Sequence, residues 1–209
     1  PLTSDDYPQL VVLQEVGFPG MKPWSQAQFE NHLRLFPEGQ IGVEYDGRLI
    51  GSSSSLVIDF DEYGDAHTWS DITQRGTIDN HDPEGDTLYG IEVVVDPAYR
   101  GMRIGRRIYD ERKALVRRLN LRRMMIGGRL PGYYKVADEM EPQEYVERVL
   151  AAEFTEPVLT FQLANGFAIK RIVRDLLATP GRLIWQNSSR QARLTRCTSG
   201  WSRQTAAKP

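Results

Sequence analysis

A single cysteine, Cys197, stands among 209 residues. An internal disulfide is therefore excluded, and the thiol content gives no sign of an oxidising compartment. No apolar run approaches the roughly 20 residues that a membrane-spanning helix needs. The first residues carry no signal-peptide h-region, and the expected location is the cytoplasm. Charge of one sign is also missing in bulk: the formal net charge is −2, which says little about partners until its distribution is considered. Histidine is scarce, with three residues in all. His32 falls on a helix, where a structural role is expected. His67 and His81 lie in a polar loop without compact ligand spacing, so no metal site is expected. No internal repeat is visible. What remains, 40% apolar and 26% charged residues, suits one globular domain large enough to bury a core.

The informative stretch runs from Ile91 to Tyr109. Ile91 to Val95 is β-branched except for Glu92, as expected of an interior strand. Pro97 ends it, since proline cannot donate to a ladder. Gly101 and Gly105 let backbone amides approach a ligand closely, with Arg100, Arg103, Arg106 and Arg107 around them. Amides at a helix N-terminus together with guanidinium groups make a phosphate site, so a pyrophosphate cradle is predicted here. Between Asp96 and Arg129 ten Arg and one Lys stand against three acids, Asp96, Asp110 and Glu111. The loop arginines are assigned to the ligand. Arg112, Lys113, Arg117 and Arg118 are assigned to the solvated face of a helix over 104–119. No aromatic platform is interleaved with this charge, so nucleic acid is not expected as a partner.

Along the chain, Ser4-Asp5-Asp6 starts a helix carrying Leu10, Val11, Leu13 and Val16, and Ser25 caps a second through Phe29, Leu33 and Phe36. Gly39 to Gly51 predicts a hairpin around an Asp46-Gly47 turn, extended as a strand over 52–60. Residues 61–86 form a polar insertion, either functional or without order. A strand over 87–96 and the helix over 104–119 follow, then a strand over 122–126. Gly127-Gly128 and Pro131-Gly132 open a second insertion, and Pro142 starts a helix through Val149. Segments 159–164, 167–173 and 183–185 complete the sheet and its last helix. Domain 1–187 is thus separated from a basic tail, 188–209, which has five basic residues and no acid and is expected to be poorly ordered.

Arg100, Ile104 and Gly105 fit the pattern Gln/Arg-x-x-Gly-x-Gly/Ala, with Arg103 at its first glycine. This loop, the hairpin and Phe161-Gln-Leu-Ala-Asn-Gly-Phe167 occur in the order found in the GNAT superfamily of N-acetyltransferases, which the chain resembles over roughly residues 2–187. Phe36-Pro-Glu-Gly-Gln40, Asp59-Phe-Asp-Glu-Tyr-Gly64, Gly127-Gly-Arg-Leu-Pro-Gly-Tyr133 and Ala137-Asp-Glu-Met140 resemble the acetyltransferase domain of bacterial proteins that join it to a carbon–nitrogen hydrolase. No hydrolase domain is seen here, and Cys197 is not read as a hydrolase nucleophile. The resemblance implies an α/β GNAT fold, a mixed central sheet flanked by helices on both faces. Its first strand is expected to be incomplete or missing, because the sequence starts at Pro1.

The resemblance further implies acetyl-CoA as co-substrate. Its pantetheine would lie along the main chain of Val93, Val94 and Val95, and its phosphates on Arg100, Gly101, Met102, Arg103, Ile104, Gly105 and Arg106. Glu92, the sole charge in its run, is either a general base or a structural carboxylate paired with an arginine from a neighbouring strand. The tyrosine that usually follows the phenylalanine of the late signature is Gln162, which cannot give up a proton. Either Tyr133 or Tyr134 then acts as general acid, or the thiolate leaves unaided. Asp61, Glu62, Asp138 and Glu139 frame a pocket for a cationic amine or solvate their loops. Two functions compete: an N-acetyltransferase acting on a small amine, and a non-catalytic acyl-CoA-binding or docking module for a carbon–nitrogen hydrolase partner. A homodimer is the default assembly.

Overall fold

The structure, a computed structural model, describes residues 1–63, 67–173 and 184–190. Its strands are β1 (Ile41–Tyr45), β2 (Arg48–Ile58), β3 (Thr87–Val95), β4 (Arg123–Arg129), β5 (Ala168–Val173) and β6 (Ile184–Arg190). They form one mixed sheet in the order β1-β2-β3-β4-β6-β5. Among the described strands only β3 and β4 run parallel, and every other neighbouring pair is antiparallel. The helices are α1 (Tyr7–Gly17), α2 (Gln26–Leu35), the one-turn α3 (Phe60–Tyr63) and α4 (Trp69–Ile72), then α5 (Ile104–Arg118), α6 (Pro142–Leu150) and α7 (Pro157–Ala164). Among the described residues no strand lies before α1, and Leu2 donates one main-chain bond to Gln40 O at 2.8 Å.

Alternation along β3 sorts the two faces. Val94 packs with Leu10 and Leu13 of α1, Phe29 of α2 and Leu49. Its neighbours Val93 and Val95 pack on the other face with Ile104 and Ile108 of α5. Tyr109 of α5 meets Phe161 of α7 and Phe167, with ring centroids 5.4 and 5.2 Å apart, so α7 shares the α5 face. Ser25 caps α2 through Gln28 N, and apolar spacing aims Phe29 inward, where its burial contributes roughly 1.5–3 kcal/mol.

Both insertions are tied down. Asn31 of α2 donates to Thr77 O (2.7 Å), His32 bonds Gly76 O (2.7 Å), and Gln28 donates to Arg75 O (3.2 Å). The described part of the first insertion is thus held on α2 and is not loose. The second builds its own core from Leu130, Tyr133, Tyr145, Val146, Val149 and Leu159. Gly127 and Gly128, which the sequence assigns to a loop, remain in β4 because β6 pairs with them. Ser188–Arg190, assigned to the tail, lie on β6; the tail beyond them, with Cys197, falls outside the described residues.

One expectation fails on α5. Arg112 is buried, at 1% exposure, and does not belong to a solvated face. It continues the inward positions of Ile104, Ile108 and Leu115 at helical spacing. Its charge had suggested solvent, but its place on the stripe decides.

Candidate active site

A gap in the sheet organises the site. β3 and β4 pair only from Thr87↔Arg123 to Gly90↔Ile126, although both strands continue. At that point the β2–β3 register shifts: Ser54 faces Glu92 and Ser55 faces Gly90, leaving Ile91 as the extra residue of a bulge. A bulge bends and twists its strand, and here it carries β3 away from β4. Arg112 reaches into it from α5 and donates to Ser54 O (2.7 Å) and Glu92 O (2.6 Å). Residue 90 must be glycine, since a Cβ would lie 2.6 Å from Arg112 Nη1 and 2.8 Å from Ile126. Burial lowers the Arg112 pKa to about 10, against the opposing pull of Tyr109 and Glu92.

The gap has a hydrogen-bonding edge. Asp96 N donates to Ile50 O at 2.9 Å, so residue 96 turns its main chain toward β2. By alternation Val94 does the same, and the main-chain groups of Val93 and Val95 face the gap. Of the three valines expected to line a pantetheine, two therefore present their backbone there. Val94 spends its backbone on β2 and its side chain on the α1 core.

Beyond β3, Asp96 shapes the loop. Its carboxylate accepts from Ala98 N (2.8 Å) and from Arg48 (2.8 Å), and starts the tight turn Pro97–Tyr99. Gly101 and Arg103 then adopt positive φ, 85° and 61°. This explains the departure from the glycine pattern: the position needs the left-handed conformation, and Arg103 adopts it at a cost of about 1 kcal/mol. Ile104 anchors the start of α5 in the core. The N–H groups of Met102 to Arg106 find no acceptor among the described residues. Arg100, Arg103 and Arg107 are exposed and make no ion pair there, while Arg106 has only an exposed contact with Asp110 at 3.9 Å. Gly105 lies against Phe161, where a Cβ would be 2.7 Å from Cζ. Free amides and unpaired guanidinium groups at one helix start fit the phosphates of an acyl-CoA.

Glu92 projects to the α1 face and is half-buried. Gln14 of α1 donates from Nε2 to both carboxylate oxygens at 2.8 Å. Arg112 bonds the Glu92 carbonyl and not its carboxylate, so the structural arginine partner considered for this group is absent among the described residues. Burial pushes the Glu92 carboxyl up to about 7; Gln14, Arg112 and the Trp24 indole pull against it. The Trp24 Nε1–H is buried and makes no hydrogen bond among the described residues. A carboxyl titrating near 7 is poised to exchange a proton with an amine.

The residues considered as general acid are placed differently. Tyr133 is buried, and its hydroxyl donates to Met140 O at 2.7 Å. Tyr134 is 71% exposed. Gln162 lies buried on α7, 3.4 Å from Tyr109 Oη. Asp61, Glu62, Asp138 and Glu139 are all exposed. His67 contacts Tyr89 Oη at 3.3 Å, and His81 accepts from Val57 N at 3.0 Å. Sequence reasoning missed Gln14, Trp24 and Arg112. A polar Gln14 beside Leu10 and Leu13 on the inward side of α1 was the available signal for the first.

The family model of the acetyltransferase (GNAT) family matches residues 7–135, and the chain belongs to that family. Membership brings the chemistry of acyl transfer from an acyl-CoA donor. Among relatives, the probable hydrolase YhcX of Bacillus subtilis (strain 168) is 54% identical over 171 residues, which cover 82% of this chain and 33% of that protein. The chain thus spans about a third of that relative's length. The uncharacterized N-acetyltransferase YkwB of the same organism is 38% identical over 179 residues, covering 84% of this chain and 79% of that one. Among solved structures, the GphF GNAT-like decarboxylase in complex with isobutyryl-CoA aligns with a TM-score of 0.69 at 19% identity, over 90% of this chain and 96% of that one. That likeness bears on the fold alone. Among the described residues no helix is long and apolar enough to cross a membrane.

Proposed function

We propose that this protein is an acetyl-CoA-dependent N-acetyltransferase that acetylates a small amine within a ternary complex. The observation that carries the reading is the gap between β3 and β4, which opens beside Glu92 and ends at the loop of free amides. Val93 and Val95 would hold the pantetheine as an added strand, and the loop from Arg100 to Arg106 would hold the phosphates. The donor supplies a thioester carbonyl. Glu92, ionised, takes a proton from the acceptor ammonium so that its nitrogen lone pair can attack. The C–N bond forms, the C–S bond breaks, CoA leaves as the thiolate, and the second proton on the new amide nitrogen passes to water. That departure suits the site, because Tyr133 already commits its proton to Met140 O and Gln162 has none to give.

A second reading, an acyl-CoA-binding or docking module for a carbon–nitrogen hydrolase, draws on that same lack of a general acid and on the hydrolase-named relative. Calorimetric titration with acetyl-CoA, with dephospho-CoA as control, and an amine panel read by thiol release separate the two. The enzyme reading expects micromolar binding weakened by loss of the 3′-phosphate, and thiol release with at least one amine. Binding without transfer to any amine overturns it in favour of the module.

A further inference from the structure

Glu92 is held by segments far apart in sequence. Gln14 uses both ends of its carboxamide: Oε1 accepts from Trp24 N at 3.0 Å, while Nε2 donates to Glu92. A main-chain N–H can only donate, so Trp24 decides which way the amide faces and turns its donor end to the carboxylate. Gln14 is 3% exposed and has no room to act as a solvated surface amide. Trp24 in turn is fixed by the first insertion. Trp69 stacks on it at 5.9 Å and 14°, and His32 meets it edge-on at 5.1 Å. Gly76, at φ +84°, packs so close that a Cβ would lie 2.6 Å from the Trp24 ring. His32 closes the circuit by bonding Gly76 O.

We propose that Gln14 is a positioning residue that orients and ionises Glu92, and that the insertion carrying Trp69 and Gly76 sets Gln14 through Trp24. This goes beyond the catalytic reading but rests on it, since it concerns how the base is kept ready. A donor aimed at both oxygens favours the carboxylate over the acid, against the burial that favours the acid. Arg112, below on α5, is the charged side chain that acts on Glu92. From α1 and from the segment before α2 the neutral Gln14 and Trp24 face it, and His32 behind Trp24 has its pKa lowered by burial.

The test is a titration of the Glu92 side-chain carboxyl by NMR in the full chain labelled with 13C-glutamate, assigned by its loss in Glu92→Gln. Gln14→Leu should move the midpoint up by about one pH unit, and Trp69→Ala should move it in the same direction by less. Acetyl-CoA affinity should stay within about twofold in both, because neither residue touches the loop or the gap. An unmoved midpoint in folded Gln14→Leu overturns the proposal, and an unmoved midpoint in Trp69→Ala overturns the part assigned to the insertion. Should Gln14→Leu fail to fold, Gln14→Asn, which withdraws the amide by one methylene, decides in its place. Because the readout is a titration and not turnover, a failed amine panel leaves this result distinct.

Discussion

The proposed phosphate loop and the Glu92 network are built on opposite plans. The loop is one continuous stretch, Asp96 to Arg107, whose parts are neighbours in sequence. Positive φ at Gly101 and Arg103, the buried anchor Ile104 and the free amides all follow from local backbone geometry. The network gathers Gln14, Trp69 and Glu92 from three elements and Trp24 from the loop before α2, and none of its contacts is local. One region would bind through repeated, exposed, replaceable charges. The other depends on single buried bonds, where each loss leaves a polar group without a partner. Substitutions should therefore have graded effects in the loop and steep ones in the network.

Four substitutions sharpen that contrast. The largest expected effect is at Glu92→Gln: turnover with any amine that the wild type acetylates should fall about a thousandfold, with acetyl-CoA affinity unchanged by calorimetry. The wild-type rate should rise as pH passes about 7, because the base acts ionised, and the variant should lose that rise. The same group affects stability. Its folded pKa is raised from 4.5 to about 7, so the ionised carboxyl costs the fold above that range and nothing below it. Glu92→Gln should accordingly raise the melting temperature at pH 8 relative to wild type by more than it does at pH 4.

Gly105→Glu comes next. It sets a Cβ against Phe161 and a negative charge among the amides, and should weaken acetyl-CoA binding about a hundredfold. Unchanged affinity would remove the loop from the site. Arg112→Met should destabilise the protein by about 2–4 kcal/mol in denaturant titration, since Ser54 O and Glu92 O lose their donor, and acetyl-CoA affinity should drop as the bulge relaxes. The smallest effect is expected at Arg103→Gly. Relief of the left-handed conformation should stabilise the fold by about 1 kcal/mol, while the loss of one exposed cation weakens acetyl-CoA binding only a few-fold. A large binding loss there would show that the loop is less graded than the contrast requires.

The same contrast explains what could be read in advance. β3, the Pro97 stop, the glycine turn and α5 were legible because strand composition, proline and glycine act on their own neighbours. The hairpin and the cap at Ser25 were legible for that reason too. Arg112 was misassigned because its charge outweighed a helical stripe that also contains Ile104, Ile108 and Leu115. Gly127-Gly128 was taken for a loop because glycine is permissive, whereas pairing with β6 keeps both residues in the sheet. Tyr133 was considered for its chemistry, and only its bond to Met140 O showed where its proton goes.

By itself the sequence determined the α/β organisation, the tight turn into α5 and Glu92 as the one charge in an apolar strand, all set by interactions within a few residues. The tertiary structure decided that β3 leaves β4 at Gly90, that Arg112 fills the bulge, and that Gln14 and Trp24 hold Glu92. Those contacts join residues up to 78 positions apart, and they exist only after the helices have packed on the sheet.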